Sequence, residues 1–343
     1  MINRNRIYLW MVVIALAGGL AVLNGCGQRT PAPPSPTAEG PLSPAQYRAL
    51  MGKGLAVDWA KTPHSRTLYS PEDPVAVRQR GFSHVRIRVR EDVTPALLQH
   101  LDRVIADALH AGLLPVLAYK GEAFKTHPTE ANLEKVVQWW GAMAEHYQGV
   151  SPRLSFDLLI EVTDALNRQP DTLNWLYERA VAEIRKTNPT RLIFISPRQR
   201  SNPYLLPELR IPPAGNGYLM AEWHFYAAGP SKTNPAKRWT QGTDPEKRLV
   251  QDKIAAALAW QRQTGLYTWV GAWMPGDYNH GDHYTVPEQV RFATFVSCQL
   301  DAAHIPFAVN SDAKFYDREH HRWIPAMAPV LDAVLHPRCA SGP

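Results

Sequence analysis

The chain has 343 residues, 37 lysines and arginines against 31 aspartates and glutamates, and a net charge of +6. So mild a balance, without a dense basic run, argues against a nucleic-acid surface. The length suits one large α/β domain behind a leader, since an eight-fold barrel takes about 250 residues.

The first 25 residues read as a lipoprotein signal peptide. Arg4 and Arg6 precede an apolar run from Ile7 to Leu23, and Leu23-Asn24-Gly25-Cys26 resembles a bacterial lipoprotein box. Cys26 is then the lipidated N-terminus and the membrane anchor. An uncleaved span is the alternative, because the run approaches the ~20 residues that cross a bilayer. Residues 26–42 carry Thr30-Pro31-Ala32-Pro33-Pro34-Ser35-Pro36-Thr37, an extended Pro-rich tether. The globular part is expected over 43–340. Either anchor puts it outside the cytoplasm, in the bacterial cell envelope. There Cys298 and Cys339 pair or stay as two free thiols.

Strand-like runs fall at 54–59, 84–89, 114–119, 154–161, 191–196, 218–225, 267–272 and 306–310. Helical periodicity predicts 95–111, 130–147, 172–187, 245–264 and 287–303, with weaker links at 73–80 and 202–209. Strands alternating with helices imply a parallel sheet. No Gly-rich turn follows the first strand, so a closed (β/α)8 TIM barrel is expected rather than an open doubly wound sheet. In a barrel, chemistry collects at the strands' C-terminal ends. Phe156-Asp157-Leu158-Leu159-Ile160-Glu161 is such a strand end, and its terminal acid is a candidate proton donor.

Several stretches carry a family resemblance. Gly81-Phe82-Ser83-His84-Val85-Arg86-Ile87-Arg88-Val89 is similar to the second strand of glycoside hydrolase family 5, usually read G-F-x-x-V-R-I-P-V. W-G-A-M-A-E-H-Y, from Trp140 to Tyr147, resembles that family's W-x-x-x-A-x-x-Y helix. F-D-L-L-I-E-V-T resembles F-E-L-L-N-E-P-H, and Trp223-His224-Phe225-Tyr226 resembles F-H-Y-Y on the sixth strand. Pro287-Glu288-Gln289, Ile305-Pro306-Phe307 and Phe315-Tyr316-Asp317 resemble the closing segments. Order and spacing extend the resemblance from about Leu42 to Trp323.

The resemblance implies a (β/α)8 enzyme with two carboxylates ~5–5.5 Å apart, an acid/base and a nucleophile. Glu161 falls on the acid/base. The nucleophile, in a strand usually read L-G-E-F/W-G, falls on Ala272, which leaves that position vacant. Arg86 falls on the arginine that orients the nucleophile; Glu161 or Glu222 is its expected partner here. The third-strand histidine falls on Lys120, and the tryptophan flooring the sugar subsite falls near Asn310. His224 and Tyr226 are expected to line the cleft, with Trp59 and Trp273 stacking on sugar rings. Glu222, Asp277, Asp164 and Asp312 are the alternative carboxylates for a relocated nucleophile. The loop Asp277-Tyr278-Asn279-His280-Gly281-Asp282-His283 matches no metal-ligand spacing, and neither a metal nor another cofactor is expected.

The expected function is that of an envelope-tethered, family 5-like protein that binds a polysaccharide or oligosaccharide and is impaired in the retaining mechanism. The alternatives are an active glycosidase with a relocated carboxylate and a structural envelope protein without a glycan cleft.

Overall fold

Between Lys53 and Asn310 the apolar runs become eight parallel strands. In the computed structural model, which describes residues 39–226, 239, 241–275 and 284–339, they close into a barrel in sequence order. The strands are β1 Lys53–Val57, β2 His84–Val89, β3 Leu114–Tyr119, β4 Ser155–Asp157, β5 Ile193–Ile195, β6 Leu219–Tyr226, β7 Tyr267–Met274 and β8 Phe307–Asn310. Closure is made by β8 pairing with β1, Lys53 opposite Phe307 and Ala56 opposite Asn310. The signal peptide, Cys26, most of the tether and Asp277 with its loop lie outside the described residues. Of Tyr226 the backbone alone is described.

Local signals set the helix boundaries. The helix Pro95–His110 begins with Thr94, whose side chain accepts from the Leu97 amide, and with proline at its first position. Leu97, Leu101, Val104, Ile105 and Ala108 form its buried stripe against the barrel. The helices Glu130–His146, Pro170–Arg185, Asp244–Thr264 and Val286–Ala302 follow the predicted ones within about two residues. The weak links become a helix, Glu72–Arg80, and a 3-10 stretch, Pro203–Glu208.

Three features depart from the sequence reading. A helix at Pro44–Met51, opened by a Ser43–Gln46 capping box, plugs the barrel's N-terminal end. Its Tyr47 and Met51 pack with Leu114, Val116, Leu192, Phe194, Met220, Trp269 and Ala308. A second addition, Ala328–Leu335, lies against Val286–Ala302. The Cys298–Cys339 disulfide, Cα atoms 5.6 Å apart, ties the chain beyond it to the same helix. The third is β4, which ends at Asp157 rather than at Glu161. The backbone still bonds sideways, Leu158 N to Phe194 O and Ile160 N to Tyr119 O, before Glu161 enters the left-handed region at φ 54°. That conformation is strained for a glutamate and turns the chain out of the barrel wall.

The barrel interior changes character with height. Above the apolar plug, His84 fills the space a side chain at Gly54 would need. Its Nδ1 donates to Met51 O (2.7 Å) and its Nε2 accepts from Trp269 Nε1 (3.1 Å). Burial pushes the imidazole down to about 4. The folded pKa lies below the unfolded one, so this stability is full above about pH 6.5 and is lost as pH falls towards 4. Urea unfolding should show His84→Gln losing about 2–3 kcal/mol less than the wild type between pH 7 and 4.5. Parallel losses in the two proteins would dismiss this histidine as the cause.

Candidate active site

One layer above His84, strand alternation turns Arg86, Asp157 and Glu222 inward, and all three are buried. Arg86 Nε and Nη2 donate to Asp157 Oδ2 at 2.8 and 2.5 Å, Nη2 also to Glu222 Oε1, and Nη1 to Gly271 O at 3.1 Å. The guanidinium lies over the Trp269 ring, 5.4 Å from its centroid. Of the two partners expected for Arg86, Glu222 is the one it bonds directly. Asp157 was missed, although it stands four residues before Glu161 on a strand face that must point inward.

Glu222 occupies space that any side chain at residue 271 would need, because an added Cβ on Gly271 would overlap its carboxylate. Ser201 donates to its second oxygen at 3.0 Å. Ser201 ends a run of three left-handed residues, Gln199 to Ser201, whose Arg200 amide bonds Val162 O beside Glu161. The electrostatics divide the two acids. Burial pushes Asp157 up to about 7 against the pull of Arg86. Burial also opposes ionisation of Glu222, but Arg86 and then His224 outweigh it and hold this carboxyl below its ordinary value.

His224 caps this layer. Its Nε2 contacts Glu222 and lies 3.0 Å from Arg86 Nη1, and its Nδ1 lies 3.5 Å from Glu161 Oε1. Burial disfavours the imidazolium, yet the charge of Glu222 and the contacts to both glutamates overcome it and raise the pKa. Lys120, at the end of β3, donates to Glu161 Oε2 at 3.1 Å. Lys125, on the short helix Glu122–Thr126, donates to Ile160 O at 3.1 Å and is buried beside them. Ala272 lies opposite His224 in the β6–β7 register. Glu161, Lys120, His224, Arg86, Glu222 and Ala272 therefore converge on one mouth of the barrel.

Asn310 belongs to a second cluster beside it. Its Oδ1 accepts from Arg88 Nη1 at 2.7 Å, and Arg88 Nη2 meets Asp58 Oδ1 at 2.5 Å. Asp312 accepts from the Asp58 amide at 3.1 Å and lies near Arg318. Burial, then the charge of Asp58, pushes Asp312 up to about 6. Arg88 stands where the family motif reads proline, and Asn310 near where it reads tryptophan. These residues form a charged, hydrogen-bonded lattice rather than an apolar surface.

Other expectations need correction. Trp59 and Trp273 are 1 % and 0 % exposed and offer no face to a sugar. Trp59 packs on Tyr69, and Trp273 edges onto Phe292 and Phe307. Period-two alternation sends strand-end rings to the helix side as readily as to the mouth. Asp164 is exposed, held by the Thr163 hydroxyl at 2.6 Å, and not among the converging groups. Among the described residues no cluster of three His, Cys, Asp or Glu is arranged to hold a metal.

The fold and this mouth define a (β/α)8 barrel of glycosidase type. The profile of the cellulases, glycosyl hydrolase family 5, matches residues 53–308, and the chain belongs to that family. Endoglucanase H of Acetivibrio thermocellus is 25 % identical over 205 residues, 56 % of this chain and 22 % of that protein. The chain thus matches about a fifth of that relative's length. Among solved structures, Thermotoga maritima Cel5A with cellobiose superposes with a TM-score of 0.74 at 19 % identity, covering 85 % of this chain and 99 % of that one. The Clostridial cellulose synthase subunit Z of Clostridioides difficile gives 0.72 at 20 % identity, covering 83 % and 100 %. At these identities the likeness establishes the fold alone.

Proposed function

We propose that this chain is an envelope-tethered family 5 barrel that binds a polysaccharide and lacks the retaining double displacement. One observation carries the reading: residue 272, opposite His224, is an alanine, while the inward strand carboxylates Asp157 and Glu222 are buried against Arg86. Glu222 is 0 % exposed, with one oxygen between Arg86 and His224 and the other on Ser201, so it reaches neither an anomeric carbon nor a water on the sugar. Glu161 sits between Lys120 and His224, neighbours that favour a carboxylate ion, whereas a general acid must carry its proton.

The purified protein is expected to release no measurable sugar from β-glucans or β-mannans while being retained by an insoluble or gel-embedded polysaccharide. Turnover near ~1 s⁻¹, abolished by Glu161→Gln, would establish the active-glycosidase alternative instead. Retention by no glycan at all would leave the structural alternative.

Tethering rests on the lipobox reading of Cys26, and the Cys298–Cys339 bond supports an oxidising compartment. Cys26→Ala should move the protein from the membrane fraction to soluble or unprocessed forms. Fractionation like the wild type would favour an uncleaved span.

A further inference from the structure

We propose that the ligand of this mouth is an acidic polysaccharide, and that Lys120 and Lys125 take a sugar carboxylate between them. The proposal rests on the glycan-binding reading above and adds the chemical class of the glycan.

The observation is a pair of buried ammonium groups with donors to spare. Lys120 is 7 % and Lys125 3 % exposed, yet among the described residues each makes one hydrogen bond, to Glu161 Oε2 and to Ile160 O. An ammonium has three N–H donors, and a buried one is held at a penalty until an acceptor, best an anion, meets them. Among the described residues Glu161 is in ion-pair contact with Lys120, and no carboxylate is in such contact with Lys125. Burial and then the neighbouring Lys120 drive Lys125 down to about 7, more than the charges of Glu161, Glu122 and Asp164 restore. A carboxylate seated beside it relieves both effects; a hydroxyl relieves neither.

The wall around the pair has the same character. Alternation along β2 sets Arg86, Arg88 and, just past the strand, Arg90 on one face, rising from the core to the rim, where Arg90 Nε lies 3.4 Å from Glu122. Arg88 and Asn310 stand at or near the positions where the family resemblance implies proline and an aromatic sugar floor. The side chains at this mouth are cationic and polar rather than aromatic.

A pH dependence follows. The groups facing Lys125 are Lys120 from the end of β3, Glu161 from the loop after β4, Asp164 from the following 3-10 turn and Glu122 on its own helix. Lys125 must be charged to hold an anion, so affinity is greatest below about pH 7 and declines as pH rises through that value.

The test is calorimetric titration of the full-length chain in detergent with two probes, a β-1,4-linked hexamannuronate and cellohexaose. At pH 6 the uronate should bind on the order of tenfold tighter, an advantage that shrinks severalfold by pH 8. Lys125→Met should bring the ratio towards one and remove its pH dependence. Lys125→Arg should keep the ratio and make it flat with pH, which separates charge from packing damage. Cellohexaose binding as tightly as the uronate overturns this inference and leaves the binding function intact. Binding of neither hexamer, nor of any polysaccharide, overturns both.

Discussion

Arg86→Met should be among the most destabilising single changes available in this barrel, lowering stability by about 3–5 kcal/mol. For a domain of this size that is a fall in Tm of roughly 10 °C. The reason is the company the arginine keeps. Removing it leaves Asp157 and Glu222 buried without their shared cation, whereas Asp157→Asn or Glu222→Gln removes one acid and leaves Arg86 matched by the other. Those two variants should each lose less than half as much. The deficit of Arg86→Met also has a sign with pH. Two buried acids without a cation take folded pKa values above their unfolded ones, so the variant is least impaired below about pH 4 and worsens as pH rises. Melting curves at pH 5 and pH 8 decide it. A variant within about 2 °C of wild type at pH 8 would mean that the cluster contributes little to holding the barrel together.

That cluster also marks the boundary of what was legible in the chain. Period-two and period-3.6 patterning, proline and Thr or Ser caps, and eight alternations gave the barrel and most element limits, because those signals are local. Arg86 beside an acid was legible from motif order. The identity of that acid was not. Asp157 and Glu222 both lie on inward faces, two and four strands from Arg86, and which carboxylate reaches it depends on barrel stagger, a long-range quantity. Lys125 was passed over for a similar reason. Five residues after Lys120 it reads as an ordinary solvated lysine, and its burial follows from the turn that seats Glu122–Thr126 against the loop after β4. Trp59 and Trp273 were misplaced because a ring at a strand end satisfies the same pattern whether it faces the mouth or the helices.

The buried carboxylate of Glu222 on β6 bears on what a carboxylate introduced at Ala272 on β7 could do. Ala272→Glu places a carboxylate opposite His224, at the position where the sequence resemblance implies the nucleophile. In this chain, however, Arg86 is already balanced by Asp157 and Glu222, and His224 lies between Glu222 and Glu161. A further acid therefore arrives beside two carboxylates with no cation of its own. Its pKa is pushed up, and a protonated glutamate does not attack an anomeric carbon. The single change is expected to give little or no product from an activated aryl glycoside. Pairing it with Glu222→Gln withdraws the competing charge, returns Arg86 to the new carboxylate and keeps a side chain of the same shape over Gly271. Adding Lys120→His, the residue type the family resemblance implies there, removes the ammonium that favours Glu161 as an anion. Each step should raise aryl release or covalent trapping by a 2-fluoro glycoside, read by mass spectrometry. The triple variant should exceed Ala272→Glu on the order of tenfold or more, since each pKa unit regained is a tenfold change in the reactive form. Equal activity in the single and triple variants would show that the Glu222 carboxylate is not what keeps a glutamate at position 272 unreactive.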